Sequence, residues 1–136
     1  MTRVAAAEQY LLDTNAVIAL MKGNARFIEQ IKMHQPGEIY ISSITLHELY
    51  FGAYKSQRRD ENLARLGLLN LQVLQFDEQD ALSSGMARAR LSAAGAPIGP
   101  LDVLIAGVAL ARRLCLITHN ISEFQRVEGL RVSDWE

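Results

Sequence analysis

Short apolar runs alternate along this chain with longer stretches whose apolar positions recur every three to four residues. Residues 9–12 are apolar up to Asp13 and predict a strand, and residues 15–22, with Ala16 to Met21 inside them, predict a helix that stops at Gly23-Asn24. A second helix is expected over 25–34, where Phe27, Ile28 and Ile31 share a face and Pro36-Gly37 breaks the pattern. Ile39-Tyr40-Ile41 has strand character, and from Ser43 onward Leu46, Leu49, Tyr50, Ala53 and Tyr54 fall at helical spacing. Residues 60–70 predict a further helix and 71–76 a strand, after which Asp77 reads as the cap of a long helix to Ala94 with Gly95 as its stop. The loop 96–100 is stiffened by two prolines, and Pro100 suits the first position of a helix carrying Asp102 and Ile105. Small residues there (Ala106, Gly107, Ala109, Ala111) suit close packing, and the pattern closes with a strand at 114–117 and a short one at 130–132.

Strands alternating with helices indicate βαβ units, hence a parallel sheet covered by helices. In such sheets ligands bind outside the carboxyl ends of the strands. Asp13 follows the first strand directly, Glu48 is expected to follow the second after a short turn, and Asp102 opens a helix after a constrained loop. Glu123 lies beyond the 114–117 strand, within reach if the chain turns back at Asn120. Carboxylates brought so close repel one another and hold protons unless a cation neutralises them, so a convergent set is a site for Mg²⁺ or Mn²⁺ and for phosphate chemistry.

Each acid also has a structural explanation. Asp13 or Asn15 could cap the following helix, Glu48 stands at capping-box spacing after Thr45, Asp102 in a first turn is favoured by the helix dipole, and Glu123 could be a solvated loop residue. Capping alone does not call for acids beside apolar strand ends at successive junctions.

Composition narrows the field. The 136 residues suffice for one domain, and 49% hydrophobic with 21% charged residues is ordinary for a soluble globular protein. The longest apolar stretch, 103–111, is too short to span a bilayer, so no membrane role is expected. One cysteine, Cys115, inside an apolar run reads as a buried hydrophobe and fits the reducing cytoplasm. Net charge is −1, unlike a general nucleic-acid binder, though Lys55, Arg58 and Arg59, and Arg88 with Arg90, form local basic groups that could touch phosphate. Residues 1–8 read as a short leader ahead of a single domain at 9–136.

Other chemistries lack their signatures. His34, His47 and His119 are dispersed, and His47-Glu48 has no second His four residues on. No nucleophile elbow, phosphate-binding glycine loop or dinucleotide turn is present, and the position two after Asp13, where an aspartyl phosphatase carries a second acid, is Asn15.

The stretches Tyr10-Leu-Leu-Asp-Thr-Asn15, Ile41-Ser-Ser-Ile-Thr-Leu-His-Glu-Leu49 with Gly52-Ala53, Pro97 to Ala106, and Leu116 to Phe124 closing with Gly129 to Trp135 together resemble the PIN domain, and within it the VapC toxins of bacterial toxin–antitoxin pairs. The resemblance implies a three-layer α/β/α domain with a central parallel sheet of four to five strands. It also implies a Mg²⁺- or Mn²⁺-dependent endoribonuclease, with transfer RNA as substrate, restrained by a cognate antitoxin and forming a homodimer. By motif position Asp13, Glu48 and Asp102 match the firmest acidic positions and Glu123 is preferred for the fourth on charge, with Asn120 as its competitor. Thr14 and Asn15 match small polar residues beside the first acid, and Thr118 opens the loop of the fourth. Apolar residues beyond what one sheet face needs (Leu46, Leu49, Tyr50, Tyr54, Leu63, Leu66, Leu69) are expected to form the antitoxin groove and the dimer face. The rival readings are a non-catalytic module whose acidic crevice takes a basic peptide, and a PIN nuclease acting on another RNA or on DNA.

Overall fold

The computed structural model describes residues 8–136, so the expected leader, apart from Glu8, lies outside the described residues. Glu8 itself is tied to the Arg131 guanidinium.

Five short strands form one parallel sheet in the order β3-β2-β1-β4-β5, with β1 at Tyr10–Leu12, β2 at Ile39–Ser42, β3 at Gln72–Leu74, β4 at Cys115–Ile117 and β5 at Val132–Ser133. The sheet alternates strictly: Leu11 and Leu116 point into one hydrophobic cluster, Leu12 and Ile117 into another. Both faces are therefore covered, as all-parallel sheets require.

On the first face, α1 (Thr14–Met21), α2 (Ala25–Lys32), α3 (Ser43–Lys55) and α4 (Arg59–Gly67) bury Val17, Phe27, Leu49 and Leu66. On the second, α5 (Glu78–Ala93), α6 (Pro100–Arg112) and α7 (Ile121–Phe124) bury Leu91, Val103, Ile105 and Phe124. Each fully buried large side chain contributes about 1.5–3 kcal/mol. This is the three-layer α/β/α arrangement with the five-strand limit of the expected sheet.

α5 and α6 pack at very close range. A Cβ on Gly107 would stand 2.5 Å from the Ser84 Cβ and 2.8 Å from its Cα, so only glycine fits there. The small residues of α6 are thus there to admit α5. The same pair of helices is cross-linked by Arg112, whose Nη2 donates to Asp80 Oδ2 at 2.9 Å and whose Nε donates to Oδ1 at 3.3 Å. Asp80 is completely buried, and its carboxylate also accepts from the Asp77 N–H while Asp77 caps α5 in return.

Helix starts follow local chemistry. Asp13 caps α1, Asn24 caps α2 and Ser42 caps α3, each accepting from an amide three residues on. Here one expectation is corrected. No turn separates β2 from α3, and the cap is Ser42 rather than Thr45, so Thr45 and Glu48 form no capping box. Ser42 lies at the strand end where its hydroxyl already reaches the Thr45 amide at 3.1 Å, which leaves Thr45 buried inside the first turn.

Candidate active site

The strand order reverses direction of winding between β1 and β4, the switch point at which open parallel sheets leave a crevice. Asp13 stands at the end of β1 and Thr118 at the end of β4, so these two open the crevice from both sides. Asp13 still pairs with β4 through its N–H to the Ile117 carbonyl at 3.1 Å, and Thr118 with β5 through its N–H to the Ser133 carbonyl at 2.9 Å. Strand pairing therefore fixes where both residues emerge.

Asp13 is 3% exposed and its Oδ1 accepts from the Ala16 N–H at 2.8 Å. The capping and functional readings of this residue are thus compatible. Burial raises its pKa, against the pull of the Thr118 hydroxyl and the Ala16 amide, and the negative charges of Glu136 and Glu48 raise it further.

Glu48 lies in the second turn of α3, and its Oε1 accepts from the Thr14 hydroxyl at 2.6 Å. The Thr45 hydroxyl oxygen stands 3.4 Å from the same Thr14 oxygen, so α1 and α3 are pinned together beside the carboxylate. Thr14 thus fixes the position of the Glu48 carboxylate.

Asp102 occupies the first turn of α6. Its carboxyl is pushed up to about 6, first by burial and then by Glu123, Glu48 and Asp13. Every charge acting on it is an acid, and these three are the remaining residues singled out in the sequence. Asp102 also lies against the backbone of Gly99, where a Cβ would come 2.7 Å from Oδ2.

Glu123 is not a solvated loop residue. It sits in α7, half buried, with Oε1 accepting from the Gly99 N–H at 3.0 Å and Oε2 from the Asn120 side-chain amide. Glu123 and Asn120, the two candidates for the fourth position, are thus bonded to one another, and Glu123 ties α7 to the entrance of α6. Thr118, buried, accepts from the Asn120 N–H at 3.0 Å and shapes this corner. Asn15, two residues past Asp13, is exposed on α1.

The sequence pattern did not point to a second group. His119, Asp134 and Glu136 bring one ligand-type atom each within 4.8 Å of one another, the one such trio found among the described residues. The His119 Nδ1 meets Asp134 Oδ2 at 2.8 Å, and that bond with the nearby acids raises the imidazole pKa. Asp134 directly follows β5, so the same strand-end rule that marked Asp13 could have found it.

The expected basic groups sit elsewhere and have local partners. The Lys55 ammonium stands 5.7 Å from the centre of the Phe51 ring, Arg59 donates to the Tyr54 carbonyl at 3.2 Å, and Arg90 faces Glu128 at 3.9 Å.

Hard carboxylate oxygens around Asp102 with no cation among the charges that act on it fit a divalent metal of the Mg²⁺ type. Asp13, Glu48, Asp102 and Glu123 are not among the groups whose ligand-type atoms all lie within 4.8 Å of one another in the described residues, and what links them is the charge that the other three exert on Asp102.

The PIN domain family matches residues 10–130. The tRNA(fMet)-specific endonuclease VapC of Salmonella typhimurium is 41% identical over 129 residues, covering 93% of this chain and 98% of that protein. The tRNA(fMet)-specific endonuclease VapC of Shigella flexneri is 42% identical over 130 residues, with 93% and 98% covered. Among solved structures, the DNA-bound VapBC from Salmonella typhimurium superposes with a TM-score of 0.89 at 40% identity, covering 96% of this chain and 100% of that one.

Proposed function

Because the chain belongs to the PIN-domain family, in its VapC branch, we propose that it is a metal-dependent endoribonuclease that hydrolyses transfer RNA, the initiator tRNA in particular, as the toxin of a toxin–antitoxin pair. The observation that carries the metal-dependent chemistry is the Asp102 carboxyl, pushed to about 6 with three further acids acting on it and no cation. The choice of initiator tRNA is supported by the specificity that two relatives above 40% identity carry in their names.

Asp13, Glu48 and Asp102 would hold Mg²⁺ or Mn²⁺, with Glu123 completing the set. When bound, the ion supplies Lewis acidity toward a phosphate oxygen and lowers the pKa of a coordinated water. The protein's own part is positional. Thr14 fixes the Glu48 carboxylate, so that its free oxygen can orient the attacking water in line with the scissile bond. Gly99 leaves room for Asp102 and hands its N–H to Glu123, so the two carboxylates keep a set spacing. Asp13 is buried, so its carboxylate interacts with neighbouring charges more strongly than a solvent-exposed one would.

An antitoxin and a second copy are the inferred partners. A groove of about 240 Å³ lies between α1, α3 and α4, with Ile18, Met21, Leu49 and Leu66 as its apolar lining and Glu48 beside Lys22 and Arg65 as its charged lining. Its mixed lining suits an amphipathic segment whose apolar face meets Ile18, Met21, Leu49 and Leu66 and whose basic residue reaches Glu48. Tyr50, Phe51 and Tyr54 on α3 and Leu68 beyond α4 are exposed and offer an apolar face for self-association. No helix among the described residues is long and apolar enough to cross a membrane, and buried free Cys115 accords with a cytoplasmic site of action.

The test is to incubate the purified chain with initiator and elongator tRNAs and Mg²⁺ and to sequence the new ends. A single cut in the initiator tRNA alone is expected. Uniform fragmentation of all tRNAs would remove the substrate assignment, and intact RNA throughout would remove the nuclease reading.

A further inference from the structure

Beside the four-carboxylate crevice lies a separate hollow of about 380 Å³, far above the roughly 10–15 Å³ that a single water requires. Ile18 and Ala19 of α1 give it apolar lining, and Asn15, Lys22, His119, Asn120 and Glu136 give it polar lining. Three links join it to the reactive corner: Asn15 is two residues past Asp13, Asn120 is bonded to the Glu123 carboxylate, and the Glu136 charge acts on Asp13.

The lining has the chemistry of base recognition. The His119 side chain is 67% exposed, yet its ring is oriented, because Nδ1 is held by Asp134 at 2.8 Å. An exposed ring locked in one orientation is a stacking platform. The Asn15 amide, on an exposed residue, and the Asn120 carbonyl, on the far side of the amide nitrogen that serves Glu123, can meet donor and acceptor edges. The hollow carries one ammonium, Lys22, against the Glu136 carboxylate, with the Asp134 carboxylate beside His119, which suits a neutral base better than a phosphate. Single-stranded RNA is read in this manner, by bases splayed out onto flat side chains and bonded along their edges.

We propose that this hollow, with His119 as its platform and Asn15 and Asn120 as its edge readers, binds the unstacked base of a nucleotide next to the scissile phosphate and so sets the cleavage context. The inference rests on the ribonuclease reading above. Base–aromatic stacking is worth about 1–3 kcal/mol by alanine substitution, or about 5- to 150-fold.

The experiment measures kcat/KM for wild type, His119→Ala and His119→Phe. The substrates are one RNA hairpin and its two versions that are abasic on either side of the cut. Melting curves confirm that each variant is folded. The expected result is a loss of at least about fivefold for His119→Ala on intact RNA, recovery in His119→Phe, and no further loss from His119→Ala when one of the flanking bases is absent. The subsite is overturned if His119→Ala cuts intact RNA as wild type does, if it loses equally on both abasic substrates, or if Phe does not restore the rate, which would indicate ligation or proton transfer instead of stacking. Those outcomes leave wild-type cleavage in place, whereas wild type that cuts no RNA at all overturns the nuclease reading together with the subsite.

Discussion

Replacing Asp102 by Asn should stabilise the metal-free protein while abolishing its activity. The folded Asp102 carboxyl titrates at about 6 against an ordinary value of 3.8, so the folded state holds its proton more tightly than the unfolded state. Stability therefore falls as pH rises through that interval, and the penalty is fully present above about 6 and relieved below about 4. A displacement of that size corresponds to roughly 3 kcal/mol at most. Partial exposure of Asp102 reduces that figure, and Asn also forfeits about 0.3–1 kcal/mol of favourable interaction with the α6 N-terminus. A gain of about 1–2 kcal/mol remains, several degrees in Tm for a domain of this size. The assay is thermal unfolding of wild type and Asp102→Asn in EDTA at pH 7.5 and pH 4.5, then in Mg²⁺. The variant should melt higher at pH 7.5 and lose most of that advantage at pH 4.5. Saturating Mg²⁺ should raise only the wild type, by about 2.7 kcal/mol at a hundredfold excess over Kd. A variant less stable at pH 7.5, or a Mg²⁺ response equal to that of wild type, would refute the crowded-carboxylate account.

Arg112→Met leaves the buried Asp80 without its partner and should cost about 2–4 kcal/mol, below the full range for buried pairs because the Arg112 side chain is 29% exposed. Burial raises the Asp80 pKa, but the Arg112 bonds outweigh it and the net shift is downward, so the pair's contribution is present above the usual carboxylate range and lost in acid; urea melts at pH 7 and pH 3 should show it shrink. Gly107→Ala should destabilise by about 1–3 kcal/mol through overpacking against Ser84, read in the same melts, with Mg²⁺ binding unchanged in the folded fraction. Glu123→Gln should lower cleavage at least about tenfold at limiting Mg²⁺, and Asn120→Ala should follow it in the same direction, because the Asn120 amide holds the Glu123 carboxylate; activity unchanged in both would remove this corner from the mechanism.

The elements were legible because strand and helix periods differ and the strands are apolar on both faces. The positions of Asp13 and Asp102 were legible for the same reason, since each sits at a boundary that the pattern marks. Glu48 was harder. Ser42, Ser43 and Thr45 all have capping chemistry, and only the pairing of β2 with β1 and β3 decides that Ser42 is the strand end and Glu48 lies in the second turn of α3. Asp80 was invisible because its partner lies 32 residues away on a helix whose closeness depends on Gly107. The His119, Asp134 and Glu136 group was missed because it exists only through the parallel pairing of β4 with β5, and the sequence does not say which strand lies beside which.

The central claim is that Asp13, Glu48, Asp102 and Glu123 make one metal-dependent ribonuclease site. It is tested most directly by the rate of tRNA cleavage across a Mg²⁺ titration starting from EDTA, for wild type beside Asp13→Asn. The account predicts no cleavage in EDTA, a saturable rise with Mg²⁺ in wild type, and a rate at least about tenfold lower in Asp13→Asn at every concentration. Wild-type cleavage that persists in EDTA, or Asp13→Asn that follows the wild-type curve, would contradict it.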